Sequence, residues 1–263
     1  MGDPVNMDLR PAAEKNIVPV IDRMMDVLAE LEQRIEGVSI TDLTARLGQP
    51  RSSIYRILNT LERHGMVRRD ASGTYVLGSR LLSLAAHVAA GASEVDLPAA
   101  AQPVLNGLAE ALGEGVKLSV VDGRDLLVIA AAQGRREYAL TVRPGQRLAL
   151  PVGAAGKVLL AHLPEAERRR VLEAAEPVGE GPADPGRLAR DLDRIRREGW
   201  ARDRGEQAPS IHAVAFPVTG RGGAVVAALS VPFLAGADEA RVAAIREAAR
   251  EAAAEISARL GEA

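Results

Sequence analysis

Between Thr41 and Leu77, glycine and proline divide the chain into segments that are long enough only for short helices and short strands. Gly48 ends a short helical pattern that Thr41 can cap, and Pro50 opens a second helix that is expected to run to about His64. A tight turn must therefore join the two helices. Because the whole chain is only 2% aromatic, the core of this module must be aliphatic.

A two-stranded hairpin is predicted directly after the second helix. Met66–Arg69 and Thr74–Leu77 are short extended runs, and Asp70–Gly73 has the composition of a turn. Upstream, residues 19–36 carry apolar side chains at helical spacing, and residues 42–47 form the short helix that precedes the turn. Helix, helix, tight turn, helix and hairpin together predict a winged helix-turn-helix.

The positive charge of the chain is concentrated in the same segment. From Ile40 to Arg80 there are seven arginines and three acidic residues, so this block carries +4, whereas the whole chain has a formal net charge of -2 and the remainder therefore carries -6. A basic block attached to an acidic body is typical of a nucleic-acid-binding module joined to a second domain.

The helix predicted from Pro50 to His64 has two chemically different faces. Aliphatic side chains recur at helical spacing on one face, and the other carries small, hydrogen-bonding and cationic side chains. Arginine can donate two hydrogen bonds to guanine, and serine and asparagine can reach base edges or phosphates. For any single arginine a solvated helix face is the alternative. The predicted DNA contacts are Arg51, Ser52, Ser53, Tyr55, Arg56 and Asn59 of this helix, with Arg69 and Ser72 of the hairpin on flanking phosphates.

A second, larger unit is predicted after a boundary near residues 91–93. Strand and helix patterns follow in mixed order, including a weaker extended run at Tyr138–Val142, and a long alanine-rich helix closes the chain. This order indicates an α+β fold around a largely antiparallel sheet. The predicted domains are a winged helix-turn-helix at 17–78, a linker helix at 79–93 and a second domain at 94–263.

Residues 39–84 resemble the DNA-binding half of the IclR family of bacterial transcriptional regulators. The specific parts are Pro-Arg-Ser-Ser-Ile-Tyr-Arg-Ile-Leu, which starts at Pro50, and Tyr-Val-Leu-Gly, which starts at Tyr75. Leu150–Ala161 is similar to the small-residue Gly-Lys helix start of the same family. Further similarity lies at Gly199–Asp203, Ile211–Pro217 and Ala227–Val231. The resemblance implies a winged helix-turn-helix joined by a linker helix to a GAF-like α/β effector-binding domain with an antiparallel sheet.

A ligand site is expected where small residues begin a helix near Gly153. Free backbone N–H groups at such a helix start can accept a carboxylate or another anion. The resemblance implies that small organic acids or aromatic metabolites bind there, whereas close helix–sheet packing is the alternative role of the small residues. The sequence departs from the best-known family pattern at Pro232, where some members have a serine, and at Ala213, where others have a more polarizable residue. The smaller number of hydrogen-bond donors favours a larger or more apolar acid, including aromatic acids, over glyoxylate. Together with Gly153 at the helix start, the resemblance implies as effector-binding residues Leu150, Ala154, Ala155, Asp203, Ala213 and Ser230.

No catalytic constellation is found in the sequence. The chain has no cysteine, and its four histidines lack the spacing of metal ligands. Ala155-Gly156-Lys157 fails as a phosphate-binding loop because Val158 stands where Ser or Thr is required. We therefore expect no catalytic residues, no metal site and no cofactor. Lys157 is expected to be structural or solvent-facing.

The expected function is a transcriptional regulator whose operator binding responds to a small organic or aromatic acid. A ligand-independent DNA-binding protein, or an enzyme with an accessory DNA-binding module, is the alternative. The apolar stripes of residues 19–36 and 78–90 favour a homodimer on a pseudo-palindromic operator, and the resemblance implies a homotetramer as well. A repressor and an activator both remain open. The N-terminal residues lack the apolar core of a signal peptide and no membrane span is found, so a cytoplasmic location is expected.

Overall fold

The computed structural model describes residues 18–85, 96–136, 139–174 and 185–262. The chain divides into two compact units, with the division between Ser93 and Glu94. Of the segment predicted to be a linker helix, residues 80–85 are helical, and the rest lies outside the described residues.

The first unit is a winged helix-turn-helix, as the sequence predicts. Its elements are α1 (Pro19–Glu32), α2 (Ile40–Leu47), α3 (Arg51–Arg63), β1 (Val67–Arg69) and β2 (Tyr75–Leu77). The two strands are antiparallel, and Val38 adds one further bridge to Tyr75. An aliphatic core joins the elements, formed by Val27, Leu31, Val38, Leu43, Ile54, Ile57, Leu58, Leu61, Val67 and the ring of Tyr75.

Two helix boundaries differ from the prediction. Ser39, not Thr41, caps α2, and its Oγ atom accepts a hydrogen bond of 3.1 Å from the backbone N–H of Asp42. The helix therefore begins two residues earlier than expected, because Ser39 is an equally good capping residue. Helix α1 ends at Glu32 rather than at residue 36. The predicted turn is present, since Gly48 adopts the left-handed conformation with a φ of 59°.

The second unit contains a six-stranded sheet in which every neighbouring pair is antiparallel. The strand order is β5-β4-β3-β8-β7-β6. The helices are α4 (Leu97–Leu112), α5 (Gly153–His162), α6 (Glu165–Ala174), α7 (Pro185–Glu198) and α8 (Glu239–Glu262). The strands are β3 (Val116–Asp122), β4 (Asp125–Ala132), β5 (Arg147–Ala149), β6 (Ala201–Ala208), β7 (Ile211–Thr219) and β8 (Val225–Leu234).

The extended run predicted for Tyr138–Val142 does not form a strand in the part that the structure describes. Residues 139–142 belong to no strand, and Tyr138 lies outside the described residues. Gln133 instead holds this segment through its side chain, which donates to the carbonyl oxygen of Leu140 and accepts from the N–H of Val142. The backbone is therefore satisfied by a side chain and needs no partner strand.

Both faces of the sheet are covered by helices. Alternate strand residues such as Val116, Leu118 and Leu229 pack in one core with residues of α4 and α8. The intervening positions face a second core, which contains residues of α5, α6 and α7. On this second face the strands contribute mainly small side chains, among them Ala201, Ala215 and Ala228.

Helix α5 lies very close to the chain that leads into it. A Cβ atom added to Gly156 would lie 2.0 Å from the carbonyl oxygen of Leu150, and Leu150 is fully buried. No side chain can be accommodated at that distance. Gly156 is therefore required by this backbone approach, and it fixes the start of α5 against the segment that follows β5.

We predict that Gly156→Ala destabilises the protein by about 1–3 kcal/mol, because the backbone of α5 must move away from Leu150. The measurement is urea unfolding monitored by circular dichroism. Gly107→Ala is the matched control, since Gly107 also lies inside a helix but has no atom within 4 Å of its added Cβ. The control should be stabilised by about 0.5–1 kcal/mol through helix propensity. Equal effects of the two substitutions would contradict the assigned contact.

Candidate functional site

The exposed face of α3 presents the side chains predicted to contact DNA. Ile54, Ile57, Leu58 and Leu61 are buried, as the helical pattern predicts. Arg51, Ser52, Tyr55, Arg56 and Asn59 are exposed, and Ser53 is half-buried. Arg51, at the first position of α3, donates a hydrogen bond of 3.1 Å to the hydroxyl oxygen of Thr41 in α2. This bond ties the first turn of α3 to the helix on the other side of the turn.

The predicted DNA contacts do not all lie on one side of α3. Ser53 and Arg56 line a groove of about 360 Å³ between α3 and α1, together with apolar residues that include Val20, Ile21 and Met24. Ser52 and Asn59 do not line this groove. The structure therefore separates a face of α3 that is open to solvent from a flank that is shared with α1.

The hairpin positions its arginine through its own turn. Arg69 donates from Nε to the carbonyl oxygen of Gly73 at 3.2 Å, and its guanidinium carbon lies 5.8 Å from the centre of the Tyr75 ring. Asp70 organises the turn because its Oδ1 atom accepts hydrogen bonds from the N–H and hydroxyl groups of Ser72 and from the N–H of Thr74. The Thr74 hydroxyl donates to Oδ2 of the same carboxylate. Ser72, predicted to contact phosphate, is thus also a structural member of this turn.

The residues expected to bind an effector lie at the start of α5 and on the sheet face against which this helix packs. Helix α5 contacts β6, β7 and β8. Asp203 on β6 pairs in register with Ala213 on β7, and its Oδ2 atom lies 3.6 Å from the position of an added Cβ on Gly153. The seven expected residues, Leu150, Gly153, Ala154, Ala155, Asp203, Ala213 and Ser230, are all buried.

Asp203 is a buried carboxylate at this site. Its Oδ1 atom accepts a hydrogen bond of 2.7 Å from the N–H of Glu206, and only 2% of the residue is exposed. Burial raises the pKa of Asp203, while the hydrogen bond from Glu206 and the positive charge of Lys157 act in the opposite direction.

Lys157 is a structural residue, in agreement with the sequence analysis. Its Nζ atom lies 2.5 Å from Oε1 of Glu206 and 3.7 Å from Oδ2 of Asp191. It also donates to the carbonyl oxygen of Arg202 at 3.4 Å. The side chain is buried and joins α5 to α7 and β6, and no phosphate-binding loop is formed around it.

Two buried polar residues of the same sheet face escaped the sequence analysis. Lys117 and Ser119 alternate with Val116 and Leu118 along β3. Such alternation ordinarily indicates a strand with one solvated face, so it gives no sign that the polar residues are buried. Here the helical layer with α5 and α7 covers that face, and Lys117 and Ser119 are buried. The pairing of β3 with β8 places Lys117 directly opposite Ser230.

Comparison with known proteins identifies the family. Residues 20–71 match the model of the IclR helix-turn-helix domain, and residues 89–258 match the model of the bacterial transcriptional regulator IclR C-terminal domain.

This chain belongs to the IclR family. It is 30% identical to the HTH-type transcriptional regulator XynR of Escherichia coli over 93% of this chain and 98% of XynR. It also resembles the crystal structure of the Thermotoga maritima IclR protein, with a TM-score of 0.72 and 26% identity over 92% of this chain and 99% of that one. An IclR homologue from Microbacterium hydrocarbonoxydans, crystallised with 4-hydroxybenzoate, gives a TM-score of 0.74 at 26% identity and covers 92% of this chain and 98% of its own.

The protein is thus a DNA-binding transcriptional regulator of the IclR type, which confirms the regulator function and the fold class expected from the sequence. The fold of the IclR family is present in both units, with the winged helix-turn-helix in the first and the antiparallel sheet in the second. In the part of the chain that the structure describes, no helix has the length and apolar character needed to cross a membrane.

We predict that Asp70 titrates at about pH 2 in the folded protein, below its ordinary value of 3.8, because hydrogen bonds from Ser72 and Thr74 hold its pKa down. Since the folded pKa is the lower one, the stabilisation of the turn is present above about pH 4 and is lost as the pH falls toward 2. An NMR titration of the side-chain carboxyl carbon measures the value. Ser72→Ala should raise it, and an unchanged titration in that variant would contradict the assigned turn.

Proposed function

We propose that this IclR-type regulator changes its operator affinity when a small organic or aromatic acid binds below the start of α5. The main support for this proposal is that the sheet face covered by α5 buries Lys117, Asp203 and the hydroxyl groups of Ser119 and Ser230. Burial of polar groups is costly unless they are satisfied. A polar ligand at this face would satisfy them.

The start of α5 supports the same proposal. Its first backbone N–H groups have no side-chain cap, because the residue before the helix is Val152. Gly153, Ala154 and Ala155 leave these groups accessible to a bound molecule, and helix N-termini favour negatively charged groups. The bound 4-hydroxybenzoate of the Microbacterium homologue is an aromatic acid of the class proposed.

The proposed DNA contacts are those expected from the sequence. The face of α3 with Arg51, Ser52, Tyr55 and Asn59 would enter the major groove, and the flank with Ser53 and Arg56 would lie beside it. Arg69 and Ser72 of the hairpin would contact phosphates. Residues 17–78 would form the DNA-binding domain, 79–93 the linker helix and 94–263 the effector-binding domain.

A symmetric assembly in the cytoplasm is part of the proposal. The exposed apolar side chains of α1, which include Val20, Ile21 and Met25, would be covered by a second copy of the domain. A homodimer then matches a pseudo-palindromic operator, and a homotetramer would pair two such dimers. We propose that the protein acts by binding and not by catalysis.

Two arginine substitutions test the DNA model. We predict that Arg51→Ala relaxes the base preference at one operator position and costs about 1–3 kcal/mol of specific binding, because a base contact is lost. Arg69→Ala should weaken binding to all sequences alike and reduce the slope of log affinity against log salt by about 1. Quantitative electrophoretic mobility shifts over a salt series and a set of operator variants measure both effects. If neither substitution altered binding, the assignment of α3 and the hairpin would be wrong.

A ligand panel tests the effector model. We predict that at least one of pyruvate, gluconate, benzoate and 4-hydroxybenzoate binds by isothermal titration calorimetry, and that the same acid changes operator affinity by about 5- to 150-fold. Glyoxylate is the two-carbon control. Binding of glyoxylate alone would contradict the preference for larger acids. Operator binding that no acid alters would favour a ligand-independent DNA-binding protein, because a ligand shifts the equilibrium only through different affinities for the two states.

A further inference from the structure

We propose that Lys117 pairs with the carboxylate of the bound acid, and that Lys117 and Asp203 together select acids that also carry a hydroxyl group. This inference rests on the proposed function, since it concerns the same ligand site. It adds a residue, Lys117, that is absent from the set of residues expected from the sequence.

Lys117 is a largely buried lysine that is attracted by the negative charge of Asp203 but forms no ion pair with it. Only 9% of the residue is exposed, and its Nζ atom makes neither a hydrogen bond nor an ion pair with any residue that the structure describes. Desolvation lowers the pKa of Lys117, and attraction to Asp203 opposes this effect only in part. Lysine is almost never fully buried unless it is paired. Lys157 in the same domain follows that rule, because it is paired with Glu206.

Two further polar groups next to Lys117 also lack partners. The Oγ atoms of Ser119 and Ser230 are buried and accept or donate no hydrogen bond within the described part of the chain. Ser230 lies directly opposite Lys117, and Ser119 lies opposite Ala228 on the same strand pair. Facing Cβ atoms on neighbouring strands are about 4.5–5.5 Å apart. The side chains of Lys117 and the two serines therefore start from one small area of the sheet, and a carboxylate bound there would accept hydrogen bonds from all three.

Asp203 sets the orientation of such an acid. It lies two strands away from Ser230 on β6, next to Gly153, so its negative charge offsets the positive end of α5. A ligand carboxylate is repelled by Asp203 and attracted by Lys117. A group placed at the Asp203 end of the ligand must donate a hydrogen bond, and a hydroxyl does so without adding charge. The two residues thus fit a hydroxylated carboxylic acid better than a plain one.

The test compares two buried lysines. Lys117→Met and Lys157→Met both keep the aliphatic part of the side chain and remove the charge. Because no residue that the structure describes forms a hydrogen bond or an ion pair with Lys117, Lys117→Met should leave the thermal unfolding midpoint unchanged or raise it. Lys157→Met should lower the midpoint, since it removes the buried counter-ion of Glu206 and one of the cations near Asp191. A purely structural role for Lys117 predicts that both variants are destabilised, and that result would overturn the proposal.

Calorimetry with defined acids supplies the second measurement. In the wild type, 4-hydroxybenzoate should bind more tightly than benzoate, which lacks the hydroxyl, and than 4-hydroxybenzyl alcohol, which lacks the carboxylate. Among aliphatic acids, gluconate, which carries hydroxyl groups, should likewise bind more tightly than hexanoate, which carries none. Lys117→Met should weaken binding of the preferred acid about 10- to 100-fold, as expected for the loss of a hydrogen bond to a charged group. Ser119→Ala, which removes only a hydroxyl without a partner, should weaken it less and should leave the unfolding midpoint unchanged.

The outcomes separate this inference from the function it rests on. If the wild type binds an acid and both Lys117→Met and Ser119→Ala bind it equally well, the role of Lys117 is overturned and the ligand site stands. If benzoate and hexanoate bind as tightly as their hydroxylated counterparts, selection through Asp203 is overturned. If the wild type binds no acid at all, the proposed function fails, and the inference fails with it.

Discussion

Burial of both faces of the antiparallel sheet governs the structure of the second unit. On one face, alternate strand residues pack with α4 and α8; on the other, small side chains permit α5 to lie against the strands. That approach depends on Gly156, whose missing side chain lets the helix touch the carbonyl oxygen of Leu150. Once the second face is covered, every polar group on it must be satisfied inside the protein or by a bound molecule. The ligand site that we propose is thus a consequence of the packing.

Local sequence signals were sufficient to predict the first unit. Gly48, Pro50 and Gly65 mark the ends of its short helices, and the spacing of Ile54, Ile57, Leu58 and Leu61 gives the buried face of α3 correctly. The boundaries were less certain because neighbouring residues have similar capping ability. Ser39 and Thr41 can each accept a bond from the first turn of a helix, and in the structure Ser39 does so.

The second unit could be predicted only in part, since its site depends on contacts that are distant in sequence. The sequence predicts one site formed by Asp203, Ser230 and the small residues at the start of α5. In the structure, Asp203 and Ser230 lie on the sheet face against which α5 packs. Lys117 and Ser119 were missed, because alternation along β3 cannot reveal that a helical layer far along the chain covers that face. The polar sequence of Ala201–Ala208 likewise gives little strand signal, and β6 owes its conformation to pairing with β7 at the sheet edge.

Helix α3 has two separate sets of residues, one that packs in the core and one that is exposed. Its aliphatic residues hold the three helices and the hairpin together, whereas Ser52, Tyr55 and Asn59 contribute nothing to that core. Substitutions on the exposed side therefore carry little cost in folding free energy. A regulator built in this way can acquire a new operator by a few changes on a single helix, while the sheet domain and whatever molecule it recognises are kept. Operator specificity and ligand recognition can therefore change independently of each other.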